Sequence, residues 1–185
     1  MINKSKKHRA VSRKLIFSFI LLIYISGLCC GAVFSLKNAG NLAFAGEIST
    51  GTENVISGKH GILKSYYIKY IFRDILYLIS VYYLKNSRSA KGVVLAVPFI
   101  LSLQNSCLYT AFVMKKLTVY KIISNLVVKD TAIAFIIIIC TAAAVYDILY
   151  RKENRNKDLQ NTGIYIAGIV MVYIIDYSVK SMFSV

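Results

Sequence analysis

The run from Thr131 to Leu149, TAIAFIIIICTAAAVYDIL, decides the fold. Its first sixteen residues carry no charge, and its nineteen residues would form a helix about 28 Å long, close to the hydrocarbon thickness of a bilayer. Charged residues stand on both sides, with Lys129 and Asp130 before the run and Arg151 after it. A buried helix of a soluble protein is rarely apolar over such a length, so this run predicts a transmembrane helix.

The composition extends this interpretation to the whole chain. The 185 residues are 57% hydrophobic, with a mean hydropathy of +0.59. Four or five spans would occupy about half of this length and leave no room for a separate soluble domain. The formal net charge of +15 is typical of cytoplasmic segments that lie against anionic lipid headgroups. No basic stretch is interleaved with aromatic residues on a polar face, so we do not expect a nucleic-acid partner.

We therefore predict an all-α protein, a polytopic transmembrane helical bundle of about five spans in the lipid bilayer. Residues 1–14 form a basic leader with six Lys/Arg and no acid, which favours a cytoplasmic N-terminus. Residues 15–185 form a single membrane domain. The predicted spans are 15–36, 65–84, 92–114, 131–149 and 163–182. The segment 37–64 is predicted to be an outer connector between the first two spans.

The first span has to be distinguished from a cleaved signal peptide. The triplet Ala43-Phe44-Ala45 has the small-x-small pattern of a cleavage site, but it begins seven residues beyond the apolar run. That run has twenty-two residues, whereas the apolar region of a signal peptide has about 7–15. An uncleaved first span is favoured.

Two interpretations are open for segment 65–84, which holds Lys69, Arg73 and Asp74. If it spans, thirteen Lys/Arg lie inside and seven outside; if it lies flat in the interface, ten lie inside and twelve outside. The positive-inside rule favours a crossing helix. Because a charge in the bilayer is costly, Arg73 and Asp74 should face another helix or water. They point about 100° apart, so we expect a separate partner for each.

Small and polar residues within the spans are candidates for helix contact. Gly27, Gly31 and Ser35 recur every four residues on one helical face, where another backbone can approach closely, either within the chain or on a partner.

The third span carries a different set of contact candidates. Pro98 removes a backbone donor and predicts a kink. Gln104 and Asn105 stand near the middle of this span, where a hydrogen bond to another helix is more common than substrate binding.

The other intramembrane polar candidates lie near the ends of the last two spans. Lys129 and Asp130 precede the fourth span, Asp147 is close to its end, and Asp176 is near the end of the fifth. Asp147 and Arg151 are four residues apart, so a local ion pair is plausible on a helix.

The motifs of common enzymes and cofactor proteins are absent from the sequence. There is no P-loop, GxGxxG, HExxH or GxSxG, and the four cysteines stand in apolar segments without a CxxC or a histidine at ligand spacing. We therefore predict no catalytic, cofactor-binding or metal site, and we expect the protein not to be an enzyme.

The order of these features resembles the stage II sporulation protein M family of bacterial integral membrane proteins. The resemblance rests on the basic leader, the G-x-x-x-G of Gly27 and Gly31, and the aromatic helix YIFRDILYLI. It continues through the proline-containing span VPFILSLQNSCLYTAFV, the lead-in NLVVKDTAIAFIIII and the final Asp176-Tyr177.

The resemblance implies a multi-pass protein of the bacterial cell membrane that acts in engulfment during sporulation. Such a protein would be a non-catalytic scaffold for two peptidoglycan-degrading partners, an amidase and a lytic transglycosylase. The alternative is a small transporter or permease subunit, with Arg73/Asp74, Lys129/Asp130 or Gln104/Asn105 on its polar path. That alternative would require a homo-oligomer or other subunits, because five spans do not divide into two equal repeats.

An intramembrane enzyme is the third class. Asp147 and Asp176 could be imagined as its carboxylate pair, but the predicted topology places them near opposite membrane faces.

Overall fold

The computed structural model describes residues 2–37, 60–87, 89–114, 127–150 and 155–183. These ranges are almost entirely helical and contain no strand, so the prediction of an all-α helical bundle is confirmed. The helices are α1 (Ile2–Lys37), α2 (His60–Asn86), a 3₁₀ helix (Lys91–Leu95), α3 (Ala96–Met114), α4 (Val128–Tyr150) and α5 (Arg155–Phe183).

Four segments of the described chain are helical, long and apolar enough to cross a membrane. They are Arg13–Lys37, Lys91–Thr110, Val128–Tyr150 and Asp158–Val179. Helix α2 is not among them, because its charged residues reduce its apolar character. The four apolar segments identify the chain as an integral membrane protein.

Helix α4 lies at the centre of the bundle and contacts each of the other four helices. Helix α1 packs mainly on α3, whereas α2 packs on α4 and α5. The core is formed by apolar side chains of α2 to α5, among them Leu78, Leu101, Ile133, Ile137 and Ile169. The spans of α1 and α5 have only 17% and 11% of their residues buried, so these two helices lie at the outside.

Polar contacts show that consecutive helices from α2 to α5 alternate in direction. Lys85 near the end of α2, Asp147 near the end of α4 and Asp158 near the start of α5 meet at one end of the bundle. Towards the other end, Tyr109 of α3 contacts Asp130 at the start of α4. Asp130 and Asp147 are separated by about 26 Å of helix, which is close to the thickness of a bilayer core.

Several helices extend beyond the predicted spans into polar sequence. Helix α1 begins at Ile2, so the basic leader is helical, and α5 begins at Arg155, eight residues before the predicted fifth span. Helical hydrogen bonds need no apolar side chains, and Lys, Arg and Glu are good helix formers. The triplet at 43–45 and most of the predicted outer connector, 38–59, lie outside the described residues.

Pro98 lies at the third position of α3, directly after a change of helix type. Residues 91–95 are 3₁₀ and the α-helix begins at Ala96, whose N–H donates to the Val93 and Val94 carbonyls. Pro98 therefore stands within a continuous helical stretch, 91–114, and the kink stays a prediction.

Candidate functional site

Four charged residues lie inside the bundle and form what we call the charged cluster: Arg73, Asp74, Lys129 and Asp130. Asp74 is fully buried, Lys129 and Asp130 are each 4% exposed, and the Arg73 side chain is 24% exposed. The cluster contains two cations and two anions. Helices α2 and α4 therefore bring together two pairs that the sequence places more than fifty residues apart.

Asp74 is held by two donors. The Arg73 guanidinium donates from Nε to Asp74 Oδ1 at 2.8 Å, and the Tyr173 hydroxyl donates to Oδ2 at 2.6 Å. Arg73 and Asp74 were expected to have separate partners, but the long arginine side chain turns back onto its neighbour. Asp74 has, in addition, its own partner in α5.

The second pair is looser. Lys129 Nζ lies 3.6 Å from Asp130 Oδ1, and the Tyr109 hydroxyl donates to Asp130 Oδ2 at 3.1 Å. Because Tyr109 belongs to α3, this hydrogen bond connects the end of α3 to the start of α4.

Tyrosine rings link the two ion pairs. The Arg73 guanidinium lies 4.7 Å from the centre of the Tyr70 ring, and Lys129 Nζ lies 5.6 Å from the same ring. Lys129 Nζ also lies 5.0 Å from the centre of the Tyr173 ring, the side chain that binds Asp74. Cation–π attraction strengthens when the cation is shielded from water, as it is here.

The polar residues of α3 contact neighbouring helices. Gln104 Oε1 accepts a hydrogen bond of 2.6 Å from the Tyr77 hydroxyl of α2. Ser106 Oγ donates to the Leu28 carbonyl of α1 at 2.6 Å. This is the role expected for the polar centre of the third span, and it leaves Gln104 bound within the chain.

Asn105 is the deepest of the α3 polar residues. Its side chain is 1% exposed and lies close to the Tyr24 hydroxyl of α1. Its Oδ1 has no hydrogen-bond partner among the described residues. Through Tyr24, helix α1 joins the polar groups of the bundle interior, so all five α-helices contribute to them.

A second polar group, which we call the lysine bridge, lies at the other end of the bundle. Lys85 Nζ contacts Asp147 Oδ2 at 2.8 Å and Asp158 Oδ1 at 2.7 Å. Burial acts to lower the pKa of Lys85, but the hydrogen bonds and charges of the two carboxylates outweigh it and raise that pKa above its ordinary value. Asp147 thus binds a different helix, while its expected partner Arg151 lies outside the described residues.

The small-residue face of α1 packs against α3. A Cβ atom added at Gly27 would collide with Ser102 Oγ and would lie 2.7 Å from the Phe99 carbonyl oxygen. One added at Gly31 would lie 2.9 Å from Ser106 Cβ. Only glycine fits this approach, so this part of the face is a contact within the chain.

The remaining predicted residues lie apart from these groups. Ser35 is partly buried one turn beyond Gly31, and Asp176 is partly buried near the end of α5. Asp147 belongs to the lysine bridge at the opposite end of the bundle from the start of α4. Asp147 and Asp176 are therefore not brought together as a carboxylate pair.

Sequence reasoning missed four residues that complete the two polar groups: Tyr109, Tyr173, Lys85 and Asp158. The tyrosines stand in apolar runs, where an aromatic ring is ordinary. The only signal in the sequence was that the hydroxyl of a buried tyrosine usually needs a hydrogen-bond partner. Lys85 and Asp158 lie just outside the predicted spans 65–84 and 163–182, where charged residues are ordinary. The sequence signal that could have predicted their contact is their opposite charge, since Lys85 lies near the end of α2 and Asp158 near the start of α5.

Comparison with known proteins gives no relative. The chain matches no family model, and no curated protein or solved structure shows significant similarity to it. Among the described residues there is no group of three or more His, Cys, Asp or Glu side chains that could hold a metal ion. The described helices are therefore joined by buried polar side chains that bind one another across helix contacts.

Proposed function

We propose that the protein is a non-catalytic membrane scaffold that holds partner proteins at the bilayer. This proposal rests on one observation: the polar groups inside the bundle connect its helices to one another. Asp74 with Tyr173, Asp130 with Tyr109 and Lys85 with its two carboxylates each connect one helix to another. Such contacts favour one fixed arrangement of helices over others, which suits a protein that presents a constant surface.

The outer helices supply a surface for partners. Large apolar side chains of α1 and α5 point away from the bundle, including Phe19, Leu22, Met171 and Ile175. Lipid or the helix of another membrane protein can cover such a face. The resemblance to the stage II sporulation protein M family supports a contact with another membrane protein. It indicates an amidase and a lytic transglycosylase as the partners, in the membrane of a spore-forming bacterium.

Affinity purification tests the scaffold directly. The tagged protein is purified in mild detergent from starving cells, beside an untagged strain, and the co-purifying proteins are identified by mass spectrometry. We expect enrichment of cell-wall hydrolases over the untagged strain. A triple variant, Met171→Ala/Ile174→Ala/Ile175→Ala, should lower their recovery at unchanged protein level if α5 carries the contact. The absence of any enriched hydrolase would refute the proposal.

A small transporter or permease subunit is the second candidate, and the charged cluster favours it. Buried charges inside a membrane protein often mark the path of an ion or a polar substrate. Under this alternative, Asp74 and Asp130 would bind the substrate transiently and exchange it for their tyrosine donors. Purified protein in liposomes would then support flux of a solute, and Asp74→Asn would abolish it. Hydrolase enrichment without flux favours the scaffold.

A further inference from the structure

A small cavity lies beside the lysine bridge. Its volume is about 30 Å³, and its lining includes Lys85, Asp147, Asp158, Thr162 and Tyr165. This volume accommodates one or two particles of the size of water. It is about tenfold smaller than the pockets that hold organic ligands.

One oxygen atom of Asp158, a residue that lines this cavity, lacks a partner. Asp158 is 8% exposed, and its Oδ1 binds Lys85. Its Oδ2 is buried and has no hydrogen-bond partner in the described part of the chain. A buried carboxylate oxygen is stable only if a donor or a cation compensates it.

Among the described residues that line the cavity, the charges do not balance. Two carboxylates surround one ammonium group, which leaves a net charge of one negative unit. A monovalent cation would bring this total to zero, whereas a divalent cation would leave an uncompensated positive charge next to Lys85. Charge balance therefore favours a monovalent ion.

The surrounding atoms also suit a cation. Thr162 Oγ1 donates its hydrogen to the Asp158 carbonyl oxygen at 2.8 Å, so only its lone pairs are available to a ligand. Carboxylate and hydroxyl oxygens are the donors that hard cations prefer. Asp158 can bind Lys85 through Oδ1 and an ion through Oδ2 at the same time.

We propose that this cavity is a binding site for a small monovalent inorganic cation, Na⁺ or K⁺, held by Asp158 Oδ2 and Thr162 Oγ1. The site fastens the ends of α2 and α4 to the start of α5. It goes beyond the scaffold function and does not depend on it, because an occupied ion would stabilise the bundle whatever the protein does.

Thermal unfolding of the purified protein in detergent tests the site. The melting temperature is measured at fixed pH in NaCl, KCl and choline chloride, each at about 0.15 M, so that the ionic strength is equal. Choline is too large for the cavity. If a cation is present at ten times its Kd or more, we expect its salt to raise Tm by about 3 °C or more over choline chloride, with saturation. The salt that gives the larger rise identifies the preferred ion.

Two variants and a control connect this effect to the cavity. Asp158→Asn should abolish the difference between the salts, and Thr162→Val should move the response to higher cation concentration. Asp176→Asn removes a carboxylate from the same helix away from the cavity lining, so it should respond like the wild type.

Equal melting temperatures of the wild-type protein in the three salts would overturn the proposal and would leave water as the occupant. A full cation response in Asp158→Asn would overturn it as well. If Asp158→Asn does not fold, the wild-type comparison and Thr162→Val still decide.

Discussion

At the scale of single residues, Asp74 shows how this protein accommodates charge in its interior. Its carboxylate has no exposed surface and receives the Arg73 guanidinium and the Tyr173 hydroxyl. Replacing Asp74 with Leu would leave both donors without their acceptor. Breaking a buried pair from one side costs about 3–5 kcal/mol. We expect Asp74→Leu to reduce the free energy of unfolding by about this amount, measured by denaturation in detergent.

The double variant Arg73→Leu/Asp74→Leu is the matched control. It removes both charges, so no unpaired charge is left behind, and we expect it to be more stable than Asp74→Leu alone. A double variant that is as unstable as the sum of the two single variants would contradict the account of a buried pair.

Lys85 gives a prediction for pH dependence. Its pKa in the folded protein is raised, so the lysine bridge contributes its full stability below the ordinary lysine pKa of about 10.4. As the pH rises through the higher folded-state pKa, the ammonium group loses its proton and the contribution is lost.

Melting temperatures of the wild type and Lys85→Met, measured from pH 7 to 11 at constant salt, check this sign. Their difference should be constant up to about pH 10 and should shrink above it. Other lysines and tyrosines titrate in both proteins and cancel in the difference. A difference that shrinks already below pH 9 would show that the bridge does not hold Lys85 in its charged form.

Which charges would be buried could be inferred from the sequence, but their partners could not. Arg73, Asp74, Lys129 and Asp130 stand in or beside apolar runs, so the cost of a charge in lipid predicts that each has a partner. Besides its neighbour Arg73, Asp74 binds Tyr173, ninety-nine residues later and on another helix. Such a pair depends on how two helices are rotated about their axes, which hydropathy does not determine.

At the scale of helices, the contact between α1 and α3 depends on Gly27 and Gly31. Side chains at these positions would overlap the backbone and side chains of α3. Gly27→Ile and Gly31→Ile should therefore separate the two helices and lower the amount of folded protein in the membrane, while insertion continues because isoleucine is favourable in lipid.

Gly163→Ala is the matched control for the glycine variants. A Cβ atom at Gly163 would meet nothing within 4 Å, so this variant should accumulate like the wild type. The outcome is measured as the amount of detergent-solubilised protein that elutes as a single monodisperse peak in size-exclusion chromatography. If Gly27→Ile remains folded at wild-type level, α1 is not held by this close approach.

The helices themselves were the most predictable level of the structure. Long apolar runs predicted the cores of α1, α3, α4 and α5, because a helix is the economical way to satisfy backbone hydrogen bonds in lipid. Helix ends were less predictable, since α1 and α5 continue into charged sequence. The 3₁₀ segment before α3 was not predicted either, because the position of Pro98 relative to the start of α3 is set by packing.

At the scale of the whole molecule, the question is whether α2 crosses the membrane with its neighbours. It contacts α5 through Asp74 near the middle of the bundle and through Lys85 at one end. A helix that lies beside α4 and α5 over this distance runs along the same axis, parallel to α4 and antiparallel to α5. Of the three charges in its predicted span, Arg73 and Asp74 are bound within the bundle, whereas Lys69 is exposed. We therefore expect α2 to cross, so that five spans result.

Cysteine labelling in the full-length chain tests this topology. The four native cysteines are replaced, and single cysteines are introduced as Lys37→Cys at the end of α1 and Ser89→Cys between α2 and the 3₁₀ helix; both positions are exposed. With a cytoplasmic N-terminus, a membrane-impermeant maleimide should label Lys37→Cys in intact cells. If α2 crosses, Ser89→Cys should react only after permeabilisation. Labelling of both sites in intact cells would mean that α2 lies in the outer interface, because no crossing would then separate them.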